Sequence, residues 1–381
     1  MTSERPIPII APKAAFEELQ SETEAAVLRV LASGDYILGQ ETAAFEQESA
    51  QYLGVPHAVG VSSGTEALLV ALQDLDLEPG DEVIVPCFTF VATATVVARL
   101  AARPVFVDID PETFQMSVEG LAAAVTRRTR AVIPVHLYGH PAPIEEYRRA
   151  VGPAVPIVED AAQAIGTVCR SGDRLVKAGT LGLWGCFSFY PTKNLPACGE
   201  AGLLVTSDPA HAERARQLRS HGQDAPYRHR LLAGNARLDA IQAAVLRVRL
   251  RKLDAWNERR RANAALYDRL LTESGAVSRH GVRLPPRPTR GEVSNYHQYT
   301  IRAPRRDELR SHLQELGIAT GVYYPIPLTL QPVFASLGYR PGDCPAAEAA
   351  AAEVLSLPVH QHLASGDVER VARAIAEFYA R

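Results

Sequence analysis

The most constraining feature of this chain lies between residues 57 and 206, where short, almost wholly apolar segments alternate with stretches of helix length. HAVGV (57–61), EVIVP (82–86), RPVFVDI (103–109), AVIPV (131–135), PIVED (156–160), GCFSF (185–189) and GLLVT (202–206) read as seven strands. Helices fit between most of them, for example over 65–75 and 90–100. Strands with no polar alternation are buried on both faces. The pattern therefore predicts an α/β fold with a largely parallel seven-stranded sheet and helices on both sides. Such sheets bind ligands beyond the carboxyl ends of their strands, so the residues just after each strand are where chemistry is expected.

The flanks complete the outline. Two amphipathic helices are expected over 16–32 and 41–52, the first stopping at Ser33-Gly34. After the sheet come a long helix from 237 to about 270, a Pro-rich hinge (284–288), a strand HQYTIR (297–302) and a helix over 306–316. A strand ending in VYYP (322–325) and a last helix over 368–379 follow. The expected division is a large ligand-binding domain, 1–250, and a small α+β domain, 251–381.

A net charge of −3 gives no basic surplus, which argues against a nucleic-acid partner. No apolar run approaches the ~20 residues a membrane span needs. The start, MTSERPIPII, lacks a basic segment followed by an apolar one, so a cytoplasmic protein is expected. Five scattered cysteines (Cys87, Cys169, Cys186, Cys198, Cys344) form no C-x-x-C pair, so neither a metal site nor a disulfide framework is expected.

The strand ends carry four suggestive groups. Ser62-Ser63-Gly64-Thr65 follows the first strand and opens a helix, which suits either a phosphate cradle or a plain helix cap. Phe90, in CFTF after the second strand, could stack on a planar ligand or sit in the core. Glu159-Asp160 closes PIVED, and a buried carboxylate there needs a partner: a cationic ring nitrogen, or else an ion pair or a helix cap. Lys193, in FSFYPTKN, is the only one of four lysines (Lys13, Lys177, Lys193, Lys252) at a strand end, with Ser188 five residues before it. Burial there would lower its pKa and make it a nucleophile and base. Each signal is weak, but together they match pyridoxal 5'-phosphate. No G-x-G-x-x-G follows the first strand, which disfavours a dinucleotide.

The chain resembles the DegT/DnrJ/EryC1/StrS family of pyridoxal-phosphate-dependent nucleotide-sugar aminotransferases, which have the type I aminotransferase fold. The matching segments include VSSGTEALLVAL, DEVIVPCFTFVATA, VIPVHLYGH, VEDAAQAIG, FSFYPTKNL, GNARLDAIQAAVL and YYPIPL, in order over nearly the whole chain. The resemblance implies that Lys193 holds the cofactor as a Schiff base and shuttles the proton, while Asp160 pairs with the ring nitrogen. Phe90 would stack on the ring, Gln163 would bond its hydroxyl, and Gly64, Thr65 and Ser188 would hold the phosphate. Asn235 would reach the phosphate of the neighbouring subunit's cofactor, which implies a homodimer with shared active sites. Arg237 and Tyr324 are candidates for contacting the sugar nucleotide, with an interdomain ion pair and a core tyrosine as ordinary alternatives. Thr329 and Ala201 depart from the family's frequent His and Gly.

The implied reaction moves an amino group from a donor, glutamate, to a nucleotide-linked keto sugar. The segments 222–227 and 234–239 look more like members acting on 3-keto than on 4-keto sugars. A 4-keto aminotransferase and a non-catalytic regulatory or sensor protein are the competing expectations. A dehydratase of the same fold would typically carry His where Lys193 stands.

Overall fold

Strands β1 (His57–Val61), β2 (Glu82–Pro86), β3 (Arg103–Val107), β4 (Thr129–Val132) and β5 (Val158–Asp160) lie where the apolar pattern puts them. A hairpin, β6 (Val168–Ser171) and β7 (Arg174–Lys177), comes next, then β8 (Trp184–Ser188) and β9 (Gly202–Thr206). The structure, a computed structural model, describes residues 5–289 and 291–381. Two hydrogen-bonded groups, β1-β9-β8-β5 and β3-β2-β4, are joined by parallel bridges between Val132 and Ile157 and between Val135 and Asp160. The seven-stranded order is thus β1-β9-β8-β5-β4-β2-β3. The junction is interrupted because Pro134 and Pro156 have no N–H to give; their carbonyls still accept from Asp160 at 2.9 Å and Val132 at 3.1 Å.

The sheet is parallel except at β9, which runs antiparallel to both β1 and β8. The 189–201 connection contains no helix and turns straight back, so the next strand returns alongside the last. Val83, Ile84 and Val85 are all fully buried, as expected of a strand covered on both faces. The edge strand β1 pairs with β9 and, through Val61, makes a lone bridge to Arg237. Near it, Ala26 and Val30 of the helix Gln20–Ser33 pack on Ala240, Ala244 and Val248 of the helix Ala240–Leu250.

Several expectations need correction. The first helix is two, Pro12–Glu18 and Gln20–Ser33, broken at Leu19 (φ −128°, ψ 25°). The long helix is also two, Ala240–Leu250 and Leu253–Glu273, because the first ends in a tight turn with Lys252 N–H donating to Arg249 O at 2.9 Å. VYYP forms no strand; its neighbour Gly321 makes only a lone bridge to Ser356. Lys193 is not alone among the lysines at a strand end: Lys177 ends β7, with its ammonium 4.8 Å from the Tyr52 ring centre. The cysteines are not all isolated: Cys87, Cys344 and Asp108 offer atoms within 4.8 Å of one another. Asp108 already accepts N–H bonds from Ile109 at 2.8 Å and from Ala346 and Ala347 at 2.9 Å, so this group staples the end of β3 to the helix Pro345–Glu353.

A second core gathers Tyr267 and Leu271 of Leu253–Glu273 with an antiparallel pair, Tyr299–Arg302 and Val354–Leu357. Val371 and Ile375 of the last helix, Ser365–Ala380, complete it, together with Ile7 from the start of the chain. Among the described residues no helix is long and apolar enough to cross a membrane.

Candidate active site

A cavity of about 600 Å³ opens at the carboxyl ends of β5 and β8. Gly64, Thr65, Phe90, Asp160, Gln163, Ser188, Lys193 and Tyr324 all line it. Asn235 and Arg237 do not.

At one end, Ser63 caps the helix Gly64–Gln73, its hydroxyl accepting from Glu66 N–H at 3.1 Å. The first-turn amides of that helix have no partner within it and carry its positive end. Gly64 stands against β8: a Cβ there would lie 2.6 Å from Cβ of Ser188. Gly202 of β9 is as tight, since a Cβ would meet Ser63 backbone at 2.3 Å. Only glycines let the helix start, Ser188 and β9 converge into one concave, amide-lined wall, which is what a phosphate dianion requires.

Strand alternation sends the two carboxylates of VED to opposite sides of β5. Glu159 points away from the cavity and is wholly buried, held by His136 Nε2 at 2.8 Å and the N–H groups of Gly179 at 2.9 Å and Leu181 at 2.6 Å. Because His136 Nδ1 accepts from Ala142 N–H at 2.9 Å, its Nε2 carries the proton and donates to Glu159. Asp160 faces the cavity. Thr93 Oγ1 donates to its Oδ2 at 2.8 Å and Ala162 N–H to its Oδ1 at 3.1 Å. Burial pushes the Asp160 carboxyl up, opposed by these two donors, Lys193 and His136. A cationic ring nitrogen would supply the missing counter-charge.

Lys193 sits in the tight turn after β8, its N–H donating to Tyr190 O at 2.8 Å. Desolvation lowers its amine to about 8, against an upward pull from Asp160. The side chain opens on the cavity, yet removal from bulk water outweighs the carboxylate's attraction because the two groups make no direct ion pair. Gln163 Oε1 accepts from Tyr138 N–H at 2.6 Å and its Nε2 donates to Tyr324 OH at 3.2 Å, which leaves one amide hydrogen for a ligand. Phe90 is 55% exposed, tilted against the Tyr324 ring at 6.2 Å. A ring with one face free in a cavity is placed to stack, not to fill a core.

Asn235 is exposed, fixed by a backbone bridge to Ser220, and Arg237 is half-buried beside Val61. Both lie outside this chain's own cavity. Two cavity residues, His297 and Arg260, escaped the sequence reading, as did Thr93, buried behind Asp160. Thr93 carried no signal beyond its place one turn after Phe90. Arg260 did carry one, because it falls on the buried stripe Trp256, Ala264, Tyr267 and Leu271 of its helix rather than on the charged face.

Phosphate cradle, buried carboxylate, stacking ring and depressed lysine in one cavity fit pyridoxal phosphate and define an aminotransferase of the type I fold. The chain matches the model of the DegT/DnrJ/EryC1/StrS aminotransferase family over residues 17–376. It is 46% identical over 379 residues to dTDP-3-amino-3,4,6-trideoxy-alpha-D-glucose transaminase of Streptomyces venezuelae, covering 98% of this chain and 97% of that one. It is also 46% identical over 374 residues, 98% of both chains, to a pleiotropic regulatory protein of Geobacillus stearothermophilus. The solved structure of S. venezuelae DesV in complex with a ketimine intermediate matches with a TM-score of 0.94 at 44% identity, over 99% of this chain and 100% of that chain. The chain belongs to the DegT/DnrJ/EryC1/StrS aminotransferase family, as a pyridoxal-phosphate-dependent sugar aminotransferase.

Proposed function

We propose that the chain transfers the amino group of glutamate to C-3 of a nucleotide-linked keto sugar, acting as a cytoplasmic homodimer. The observation that carries a catalytic reading is the depressed amine of Lys193 sharing one cavity with the doubly hydrogen-bonded Asp160. The 3-keto preference rests on the segments 222–227 and 234–239 and on the likeness to a 3-amino-sugar transaminase.

Pyridoxal phosphate, when bound, supplies an electron sink for the carbon that loses its proton. The amides of Gly64 and Thr65 and the Ser188 hydroxyl would hold its phosphate. Asp160, oriented by Thr93 and Ala162, would hold the proton on the ring nitrogen. Phe90 would stack on the ring, and the spare amide hydrogen of Gln163 would bond the ring hydroxyl. Lys193 Nζ takes the proton from the donor's Cα and returns it on the far side of the exchange, so its reach matters as much as its pKa. Arg237 and Tyr324 contact the sugar nucleotide. Asn235, exposed and outside its own cavity, reaches the phosphate site of the second subunit. In this reading residues 1–250 form the cofactor-binding domain and 251–381 the small domain.

The test is a panel of nucleotide-linked 3-keto and 4-keto sugars with glutamate, with product regiochemistry read by NMR. A 3-amino product is expected; a 4-amino product would overturn the position. The regulatory reading, suggested by the name of the Geobacillus relative, requires that glutamate leave the cofactor's absorbance unchanged.

A further inference from the structure

A buried cation of the cavity wall makes no ion pair among the described residues, although the carboxylates of Asp160 and Glu200 line the same cavity. Arg260 is 5% exposed and lines the cavity with Lys193 and His297. Its Nε donates to Gln361 Oε1 at 3.2 Å, and its Nη1 donates to the backbone carbonyls of Tyr296 at 3.3 Å and His297 at 3.2 Å. All three acceptors are neutral. Nη2 has no hydrogen bond among the described residues. Desolvation brings the guanidinium down to about 10, with no carboxylate pulling the other way.

Its surroundings are basic. His297, His360 and His362 are all held low partly by its charge. The carboxylates in the vicinity are committed elsewhere. Glu18 accepts from Trp256 Nε1 at 3.1 Å and Arg259 at 3.5 Å, and Asp367 pairs with Arg5 at 3.2 Å. An isolated buried charge is costly, so a site that keeps one in a ligand cavity is built to receive the opposite charge from the ligand.

The position selects which ligand. Asn194, next to Lys193, accepts from His297 Nδ1 at 3.0 Å, and the carbonyl of the same His297 accepts from Arg260. Arg260 is therefore linked to the reacting lysine through two residues, His297 and Asn194. The donor's Cα must come to Lys193 Nζ, and its carboxylate is attached to that carbon. The diphosphate of a sugar nucleotide stands several bonds away from the aminated sugar carbon.

We propose that Arg260 is the receptor for a carboxylate of the amino donor, with Nη2 presented to it. This rests on the reading of glutamate as donor and adds the residue that selects a carboxylate-bearing donor over a simple amine. Neutral amines are excluded because they leave the buried guanidinium unpaired.

The experiment measures the holoenzyme with glutarate, a dicarboxylate that has no amine to transfer, alongside glutamate kinetics in wild type, Arg260→Gln and Arg260→Lys. In the wild type, glutarate should raise the melting temperature and compete with glutamate. In Arg260→Gln, glutarate affinity should fall, and KM for glutamate rise, by about tenfold to hundredfold, the loss of a charge-assisted hydrogen bond. The KM for the nucleotide sugar and the cofactor content should stay unchanged, and Arg260→Lys should lie between. A folded variant with the wild-type KM for glutamate overturns the proposal, as does one whose nucleotide-sugar KM rises equally. Should Arg260→Gln fail to fold, Arg260→Lys gives the same readout. Failure of glutarate to compete in the wild type overturns the proposal without any variant. If the wild type takes no amino group from glutamate, it is the donor reading that falls; if it does and Arg260 proves indifferent, only the carboxylate site falls.

Discussion

Replacing Thr93 by valine keeps the shape of a wholly buried side chain and removes one hydroxyl. That hydroxyl donates to Asp160 Oδ2 at 2.8 Å, so Ala162 N–H, at 3.1 Å, becomes the only donor to the carboxylate. A hydrogen bond to a charged acceptor contributes about 1.5–3 kcal/mol, and one pKa unit corresponds to about 1.4 kcal/mol. The bond favours the ionised form, so losing it raises the Asp160 pKa by about one to two units, in the same direction as burial already pushes it. On the reading that Asp160 must be ionised to hold the ring-nitrogen proton, the acid limb of the reaction with glutamate moves up by the same one to two pH units. The high-pH plateau should change much less. The assay is single-turnover absorbance of the cofactor across the acid-to-neutral range, with cofactor content measured in parallel. Thr89→Val is the control: its hydroxyl lies 3.3 Å from that of Thr93 and does not touch Asp160, so its shift should be small. A Thr93→Val enzyme with full cofactor and an unmoved acid limb would refute the idea that this hydroxyl tunes the carboxylate.

Gly64→Ala would put a methyl 2.6 Å from Ser188 Cβ, costing about 1–3 kcal/mol and spoiling the cradle; melting temperature and cofactor retention in dialysis should both fall. Because the Lys193 amine is lowered to about 8, loading of the stripped protein with pyridoxal phosphate should run at a plateau above that pH. Below it the rate should slow about tenfold per unit as the amine protonates, and a flat profile in the absorbance time course would contradict the depressed pKa. Asn235→Asp should weaken cofactor retention while sedimentation still shows a dimer, since the exposed carboxylate would face the neighbour's phosphate; a fully active monomer at high dilution would end the shared-site idea.

The residues that reached their places by local rules were readable in the chain. Lys193, Asp160 and Ser188 sit at ends of apolar strands, and the sheet delivers strand ends to one side. Gly64 and Thr65 open a helix, a place that sequence punctuation marks well. What stayed hidden depends on contacts between distant segments. Thr93 is distinguished from Thr89 and Thr95 only by Asp160, 67 positions away. Arg259, Arg260 and Arg261 look alike in the sequence, yet only the middle one is buried against the cavity. The hairpin β6–β7 escaped because its residues are half-exposed and lack the apolar run of the core strands. The lone antiparallel strand β9 reads like its parallel neighbours because burial on both faces erases the alternation that would mark direction.

The pairing of β1 with β9, and of the helix Gln20–Ser33 with Ala240–Leu250, sets a timetable for synthesis. The first sixty or so residues leave the ribosome long before either partner exists. At about 5–20 residues per second, the wait for residue 250 lasts on the order of 10–40 s. During that interval Leu19, Val30 and Phe45, all buried in the finished fold, lack the part of their core that comes from residues 238–256. Contacts of such long sequence separation also slow the closing step itself. The nascent chain is therefore a natural client for a holding chaperone, and codon changes that lengthen the stretch between β1 and β9 in time should lower the soluble yield without altering a single residue.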